Sequence, residues 1–268
     1  MRAEASSRFA PRVVGVVHLP ALPGTARGEP ATAFGRVLDV AKCDAAAYAE
    51  GGADAIIVEN FGDIPFARER VGPGVIAAMA LAVSAARAES GLPVGVNILR
   101  NDVCGAIAVA ALCGARFVRA NVYVGAAVTD QGLIEGRADE AQTLIRQLGG
   151  SVDVWADIDV KHAAPLAPRP LGDLAADAIE RGLAAAVIVT GRGTGHPAAE
   201  LDLRAVRDAM PQALLYAGSG VTAASIGVVL RYADGAIVGT AAKVDGQIGN
   251  PVDPVRVRSI VAATRSGE

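Results

Sequence analysis

Short β-rich apolar runs and stretches with helical spacing alternate eight times along the chain. The predicted strands are Val13–Leu19, Ala55–Phe61, Val94–Leu99, Phe117–Val124, Val152–Val160, Ala185–Thr190, Ala213–Ala217 and Gly235–Gly239. The predicted helices are Phe34–Glu50, Val75–Glu89, Val103–Cys113, Arg137–Leu148, Leu174–Arg181, Leu201–Met210, Ala223–Arg231 and Val255–Thr264. Strands that alternate with helices pair in parallel through βαβ crossovers. The pattern therefore predicts an α/β fold.

Chain length selects among the folds that such crossovers allow. The chain has 268 residues, and a (β/α)8 TIM barrel typically takes about 250. A doubly wound open sheet is the alternative, although it usually reaches this length with fewer and longer units. We predict an N-terminal tail over residues 1–11 and a single (β/α)8 barrel domain over residues 12–268.

The predicted loops differ in length at the two ends of the strands. Links from a helix to the next strand are short, whereas four links from a strand to the next helix are long. The long links are Pro20–Ala33, Asn60–Gly74, Gly125–Gly136 and Lys161–Asp173. Long irregular loops in a compact domain are usually functional, and in a barrel they lie on the face that carries active sites. We also expect Pro20–Ala33, with its three prolines and two glycines, to close over this face as a lid.

Charge and composition exclude several partners. The net charge is −3 and no basic block occurs, so neither nucleic acid nor an anionic membrane is expected to bind. The most apolar stretch, Gly74–Ala86, is too short to span a bilayer. Residues 1–12 contain no apolar segment of the secretory type, and the three cysteines form no CxxC pair. These features predict a cytoplasmic protein without a disulfide framework or a cysteine zinc site.

The fifth predicted strand carries the densest polar pattern. Side chains alternate between the two faces of a strand, so every second residue from Trp155 to Lys161 is expected to point into the barrel. Two carboxylates and an ammonium group on one inward face are costly unless they are paired. An ion-paired barrel core is one interpretation, and a general acid/base group is the other. The candidate catalytic residues are Asp157 and Asp159 as bases, Lys161 as charge stabiliser, and His18 or His162 as the acid.

Further polar residues lie at or just beyond the ends of other strands, where a barrel would gather them around one axis. The candidate substrate-binding residues are Glu59, Asn60, Asn97, Arg100, Arg119, Asn121 and Thr194. An inward Arg119 requires an anion, which either the fifth-strand aspartates or a substrate would supply. A divalent metal is chemically reasonable at His18, Glu59, Asp157 and Asp159. No dense ligand motif of the HExxH type occurs, and no other cofactor is indicated.

Glycines follow the seventh and eighth predicted strands, where barrels often bind phosphate. The candidate phosphate-binding residues are Gly218, Ser219, Gly220, Gly239 and Thr240. Glycine lets backbone N–H groups approach an anion closely, although these glycines would also serve as simple turns. The pattern predicts a small phosphorylated ligand as partner and leaves a homo-oligomer open.

Several of these segments resemble the BtpA/SgcQ family. The resemblance lies in Gly15–Gly24, Ile57–Asp63, Asn97–Asp102, Val128–Gly136, Asp157–Ala163, Gly218–Val221 and Asn250–Pro254. It is most specific at His18-Leu19-Pro20 and Glu59-Asn60-Phe61-Gly62. The resemblance implies a barrel of the ribulose-phosphate-binding type and supplies no catalytic residue. One branch of the family is named for photosystem I biogenesis and another for a sugar-uptake operon.

The polar residues at the strand ends and the family resemblance together predict an enzyme that acts on a small phosphorylated, sugar-like metabolite. Proton transfer near a carbonyl group is the expected chemistry, as in an isomerase, an epimerase or a lyase. The alternative is a non-enzymatic assembly or stability factor, because a fold does not decide function.

Overall fold

Within residues 9–159, 163–191 and 199–265, which the computed structural model describes, eight parallel strands close into a barrel. These ranges contain eleven strands in all: β1 (Val13–His18), β2 (Ala55–Glu59), β3 (Val94–Asn97), β4 (Phe117–Ala120), β5 (Ala126–Thr129), β6 (Gly132–Glu135), β7 (Asp153–Asp159), β8 (Ala163–Pro165), β9 (Ala186–Val189), β10 (Leu214–Ala217) and β11 (Gly235–Val238), of which β5, β6 and β8 stand outside the barrel. Around the barrel their order is β1-β11-β10-β9-β7-β4-β3-β2. Each predicted strand contains one barrel strand, so the (β/α)8 prediction is confirmed and the open sheet is wrong.

Helices follow the barrel strands as the alternating pattern predicts. They are α1 (Phe34–Gly51), α2 (Pro73–Ser90), α3 (Val103–Cys113), α4 (Ala138–Gln147), α5 (Leu171–Ala176), α6 (Glu200–Ala209), α7 (Ile226–Val229) and α8 (Pro254–Ala263). A π-helical turn over Asp177–Arg181 continues α5. The side chains of Asp102 and Asp253 cap α3 and α8 by accepting hydrogen bonds from Gly105 N and Val255 N, which stabilises these helix starts.

The hydrophobic core has two layers, one on each face of the barrel wall. The outer layer packs strand residues such as Val13 and Val17 against the helices. The inner layer fills the barrel, where Trp155 stacks between Phe117 and Tyr216 with ring centroids 4.0 and 4.2 Å apart. Phe9, from the predicted tail, packs against the rings of Phe117 and Trp155. The barrel interior is therefore a closed apolar core up to its carboxyl end.

A three-stranded antiparallel sheet, in the order β6-β5-β8, stands beside the barrel. The sequence predicts only irregular loops over Gly125–Gly136 and Lys161–Asp173, and this prediction is wrong for the strands that they contain. Thr129 pairs with Gly132 across a two-residue turn, and Ala127 pairs with both Ile134 and Pro165. Val122, Ala127 and Ile134 form a small core of their own that seats the sheet on the end of β4.

No helix in the described ranges is both long enough and apolar enough to cross a lipid bilayer.

Candidate active site

Strand alternation gathers a ring of residues at the carboxyl end of the barrel. Residues two positions apart on a strand point to the same face. On each barrel strand, the residue two positions after an inward-pointing residue of the apolar interior therefore also points inward, at the carboxyl end. In chain order they are His18, Glu59, Asn97, Arg119, Asp157, Thr190, Gly218 and Gly239. The first six carry polar side chains directly above the apolar interior. The change from apolar to polar within one barrel marks this end as the candidate site.

A buried ion pair between Arg119 and Asp157 lies at the centre of the polar side of the ring. Arg119 Nε donates to Asp157 Oδ1 at 3.1 Å, and Arg119 Nη2 donates to Asp157 Oδ2 at 3.0 Å. Burial disfavours the guanidinium cation, but the attraction of Asp157, with Glu59 adding to it, outweighs this and raises the pKa of Arg119. Arg119 therefore points inward, as predicted, and the anion that it requires is Asp157.

Asn121, from the same face of the fourth strand's extension, completes this group. Its Nδ2 donates to Asp157 Oδ2 at 2.8 Å, and the whole residue is buried. Asp157 thus accepts three hydrogen bonds on its two oxygens. We refer to Arg119, Asp157 and Asn121 as the Asp157 cluster.

Glu59 and Asn97 form a second buried contact in the ring. Asn97 Nδ2 donates to Glu59 Oε2 at 2.6 Å. Arg100 lies close by, 5% exposed. Burial lowers the pKa of Arg100, while Asp157, Asp130 and Glu59 act in the opposite direction. Among the described side chains, two arginines and two carboxylates therefore balance one another at the carboxyl end of the barrel, which we call the mouth.

Asn60, a predicted substrate-binding residue, is directed into the protein instead. Its Nδ2 donates to Asp63 Oδ2 at 2.8 Å, and its Oδ1 accepts from Leu99 N at 2.7 Å. Asp63 Oδ1 in turn accepts from Leu22 N at 2.7 Å. Burial raises the pKa of Asp63 against the effect of these hydrogen bonds. Asn60 and Asp63 thus hold three loops of the carboxyl face together.

His18 lies on β1 beside Glu59 of β2, to which it is paired in register. Its ring meets Phe61 edge-on, with centroids 4.9 Å apart. A Cβ atom at Gly239 would lie 2.7 Å from His18 Cε1. A side chain at position 239 would therefore displace the imidazole of His18.

Protein atoms also fill the space beside Gly218. A Cβ there would lie 2.5 Å from Ile188 Cγ2 and 3.4 Å from Arg119 Nη2. Ser219 is buried and its Oγ accepts from Gly191 N at 3.0 Å. A role of Gly218, Ser219 and Gly239 in phosphate binding stays a prediction, and their surroundings provide a structural reason for each residue.

Gly220 and Thr240, the other two predicted phosphate-binding residues, line one cavity of about 500 Å³. Thr222, Arg256 and Ser259 line it as well. Arg256 Nε donates to Ala241 O at 2.9 Å, which fixes the stem of this side chain beside the cavity. Sequence patterns alone could not identify Arg256, because it lies in the first turn of the last helix rather than at the end of a strand.

Part of the fifth-strand prediction lies outside the described residues. This holds for Lys161 and His162, and only the backbone of Asp159 is described. Thr194, predicted to bind substrate from the connection after the sixth predicted strand, also lies outside the described residues. The strand pairing shifts in register between Asp157 and Asp159, so that Asp159 pairs with Val189. The regular alternation that the sequence predicts from Asp157 to Asp159 is therefore interrupted by a bulge, which a pattern of residue types does not show.

The described residues contain no group of side chains that would support the predicted metal site. No three His, Cys, Asp or Glu side chains among them are arranged to hold a metal ion. At Asp157 both carboxylate oxygens are already bonded to Arg119 and Asn121.

Lys243 and Asp44 form an ion pair that the sequence patterns do not reveal. Lys243 Nζ lies 2.5 Å from Asp44 Oδ2, and each residue is only 2% exposed. Asp44 Oδ1 also accepts from Val252 N at 2.9 Å. The pair joins α1 to the segment after β11, and its residues are 199 positions apart, so only the closed barrel brings them together.

Fold and site together define the class of protein: a (β/α)8 barrel whose described residues form a buried polar site at its carboxyl face. The chain belongs to the BtpA family, whose model matches residues 10–266. It is 43% identical over 256 residues to the photosystem I biogenesis protein BtpA of Synechocystis sp., covering 95% of this chain and 88% of that protein. An uncharacterized protein of Pyrococcus furiosus is 42% identical, with 95% of each chain covered.

Solved structures with the same fold are more distant in sequence. N-(5'-phosphoribosyl)anthranilate isomerase from Pyrococcus furiosus superposes with a TM-score of 0.59 at 13% identity, covering 95% of this chain and 98% of that chain. Orotidine 5'-phosphate decarboxylase from Pyrococcus horikoshii gives 0.58 at 15% identity, covering 94% and 99%. At these identities the likeness shows the fold alone.

Proposed function

We propose that this chain is an enzyme that binds a small phosphorylated, sugar-like metabolite at the barrel mouth and moves a proton near its carbonyl group. Isomerase, epimerase and lyase reactions all use such a step. The observation that carries the proposal is the abrupt change inside the barrel. Val14, Ile57 and Trp155 fill the interior with apolar groups, whereas the next layer is charged and buried.

The energetics of buried ion pairs support this interpretation. Replacing a buried ion pair by well-packed apolar residues is often neutral or stabilising. This barrel already contains such apolar packing one layer below the Arg119–Asp157 pair. A charged layer at the face that carries active sites in (β/α)8 enzymes is therefore better explained by ligand binding than by stability.

The hydrogen bonds of the carboxylates at the mouth suggest a different role for each. Asp157 accepts three hydrogen bonds, and taking a proton would weaken all of them. We therefore assign Asp157 to positioning Arg119 and Asn121. Glu59 and His18, which are paired in register on adjacent strands, are our candidates for proton transfer. Asp159, Lys161 and His162 keep the catalytic roles predicted from the sequence.

The cavity beside Gly220 and Thr240 is the proposed phosphate site. Arg256 supplies a cation to it, and Thr222 and Thr240 supply hydroxyl groups. The names of two proteins with this fold specify phosphorylated compounds, which supports a phosphorylated ligand here. We also propose a cytoplasmic location, in which Cys43, Cys104 and Cys113 remain thiols as they are in the structure.

Thermal unfolding in the presence of sugar phosphates tests the proposal. A ligand at 100 times its Kd should stabilise the protein by about 2.7 kcal/mol. The variant Arg256→Gln should lose this stabilisation. Arg258→Gln is the matched control, because Arg258 lies on the same helix but pairs with Glu50. If neither inorganic phosphate nor any sugar phosphate shifts the wild-type transition, the proposal is wrong.

An assembly or stability factor is the second candidate function. The name of the relative from Synechocystis sp., a photosystem I biogenesis protein that is 43% identical, favours it. The enzyme requires a ligand to bind at the carboxyl end of the barrel, whereas the assembly factor does not. A purified chain that neither binds nor converts sugar phosphates would favour the assembly role.

A further inference from the structure

The carbonyl oxygen of Asn121 is the most informative polar atom at the mouth. Asn121 is 3% exposed, and among the described residues no donor reaches its Oδ1. Buried polar atoms in native proteins nearly always have a partner, and an exception requires an explanation. A bound ligand provides one.

The orientation of the amide follows from its neighbours. Asp157 is held by Arg119 through two hydrogen bonds, and an ionised carboxylate only accepts. The amide group of Asn121 must therefore present its Nδ2 to Asp157, as the distance of 2.8 Å shows. The opposite orientation would place two oxygens against each other. Arg119 and Asp157 thus fix Oδ1 in the direction away from the cluster.

A cavity of about 210 Å³ opens beside this group. Its lining includes Asn121 and Asp157 of the barrel end together with Ala126, Ala127 and Ala163 of the three-stranded sheet. Arg169 also lines it but is paired with Asp177 at 2.6 Å. The described walls therefore combine apolar side chains with the buried Asn121 amide and the Asp157 carboxylate, and Asn121 Oδ1 is the acceptor among these that has no described donor.

We infer that Asn121 Oδ1 accepts a hydrogen bond from a hydroxyl group of the substrate, and that Asn121 is the residue that selects for this hydroxyl. The inference rests on the proposed function and specifies its substrate class: a phosphorylated polyol or sugar rather than its deoxy analogue at one carbon. A keto oxygen at this carbon would oppose another acceptor and is rejected. Asp157 acts as a positioning residue through Asn121.

Deoxy analogues of a bound sugar phosphate test the inference. Ribose 5-phosphate, ribulose 5-phosphate, glucose 6-phosphate and fructose 6-phosphate are first compared by thermal shift. Kd is then measured for the one that binds best and for each of its monodeoxy analogues. At one carbon, removal of the hydroxyl should weaken binding to the wild type by at least about 10-fold, because Oδ1 then stays unpaired. In Asn121→Leu that difference should disappear, while the differences at other carbons persist.

Asn101→Leu is the control for a buried asparagine at the same face. Both ends of the Asn101 amide are bonded to the backbone of Val122 at 2.8 Å, so its loss should leave the deoxy selectivity unchanged. If Asn121→Leu does not fold, Asn121→Ala is measured in its place, and affinities are expressed per folded molecule. If the deoxy differences are the same in wild type and variant, Asn121 does not read a hydroxyl and the inference is wrong. If no sugar phosphate binds the wild type at all, the proposed function has failed and the inference falls with it.

Discussion

At the scale of single residues, the structure contains two buried groups of paired charges. The Asp157 cluster and the Lys243–Asp44 pair are both withdrawn from solvent, yet they differ in position. The cluster lies at the carboxyl ends of the adjacent strands β4 and β7, whereas Lys243 and Asp44 connect α1 to the segment after β11. We therefore expect the second pair to serve stability and the first to serve ligand binding.

Asp44→Asn should destabilise the protein by about 3–5 kcal/mol, because it leaves the Lys243 ammonium buried without a counter-charge. Urea unfolding followed by circular dichroism measures this change. Asp39→Asn is the matched control, since Asp39 is exposed on the same helix. A loss no larger than that of the control would show that Lys243 finds compensation elsewhere.

The Arg119–Asp157 pair should respond differently to single and double replacement. Arg119→Met alone leaves Asp157 buried and uncompensated, which should cost about 3–5 kcal/mol. The double variant Arg119→Met with Asp157→Leu removes both charges and should recover most of this loss. Its affinity for a sugar phosphate, per folded molecule, should still fall at least about 10-fold. Full affinity in the stable double variant would mean that the pair is only an ion-paired core.

At the scale of elements, the three-stranded sheet shows how the connections of the carboxyl face acquire order. The turn between β5 and β6 depends on Gly132, whose φ is +96°. Nothing lies within 4 Å of a Cβ built there. The glycine is therefore required by backbone conformation rather than by space.

Gly132→Ala should destabilise the protein by about 1–2 kcal/mol, because a side chain disfavours this left-handed conformation. Gly35→Ala provides the contrast. Gly35 lies within α1 and also has open space around it, so alanine should stabilise the helix by up to about 1 kcal/mol. Thermal unfolding of the two variants compares them directly. Equal shifts would show that the turn conformation carries no cost.

The predicted lid, Pro20–Ala33, is attached more firmly than its sequence suggests. Leu22 is fully buried and its N–H donates to Asp63. Any closure of this loop must therefore hinge after Leu22, and the exposed Arg27 lies beyond that anchor.

Limited trypsin digestion should cut at Arg27 in the free protein and more slowly with a bound sugar phosphate, because closure over a site excludes the protease. The exposed Arg265, at the far end of the chain, serves as an internal control whose cleavage should not change. Equal protection at both positions would indicate general stabilisation, and no protection would contradict a lid.

At the scale of the whole molecule, sequence periodicity was sufficient for the barrel. Alternation also placed Asp157 on the inward face, because side-chain direction in a regular strand follows from position alone. The bulge between Asp157 and Asp159 interrupts that rule. The hairpin at Gly132 and the Lys243–Asp44 pair were missed because both depend on pairing between segments rather than on local residue pattern.

The pairing of β5 with β8 also bears on how this protein could be re-engineered. Barrel enzymes are commonly regarded as modular, with each strand carrying an independent loop that is exchanged to change specificity. Here the connections after the fourth and fifth barrel strands share one set of backbone hydrogen bonds and form a single wall. A transplant of either connection alone would leave an unpaired strand edge exposed at the mouth. The two connections must therefore be transplanted together, as one structural unit.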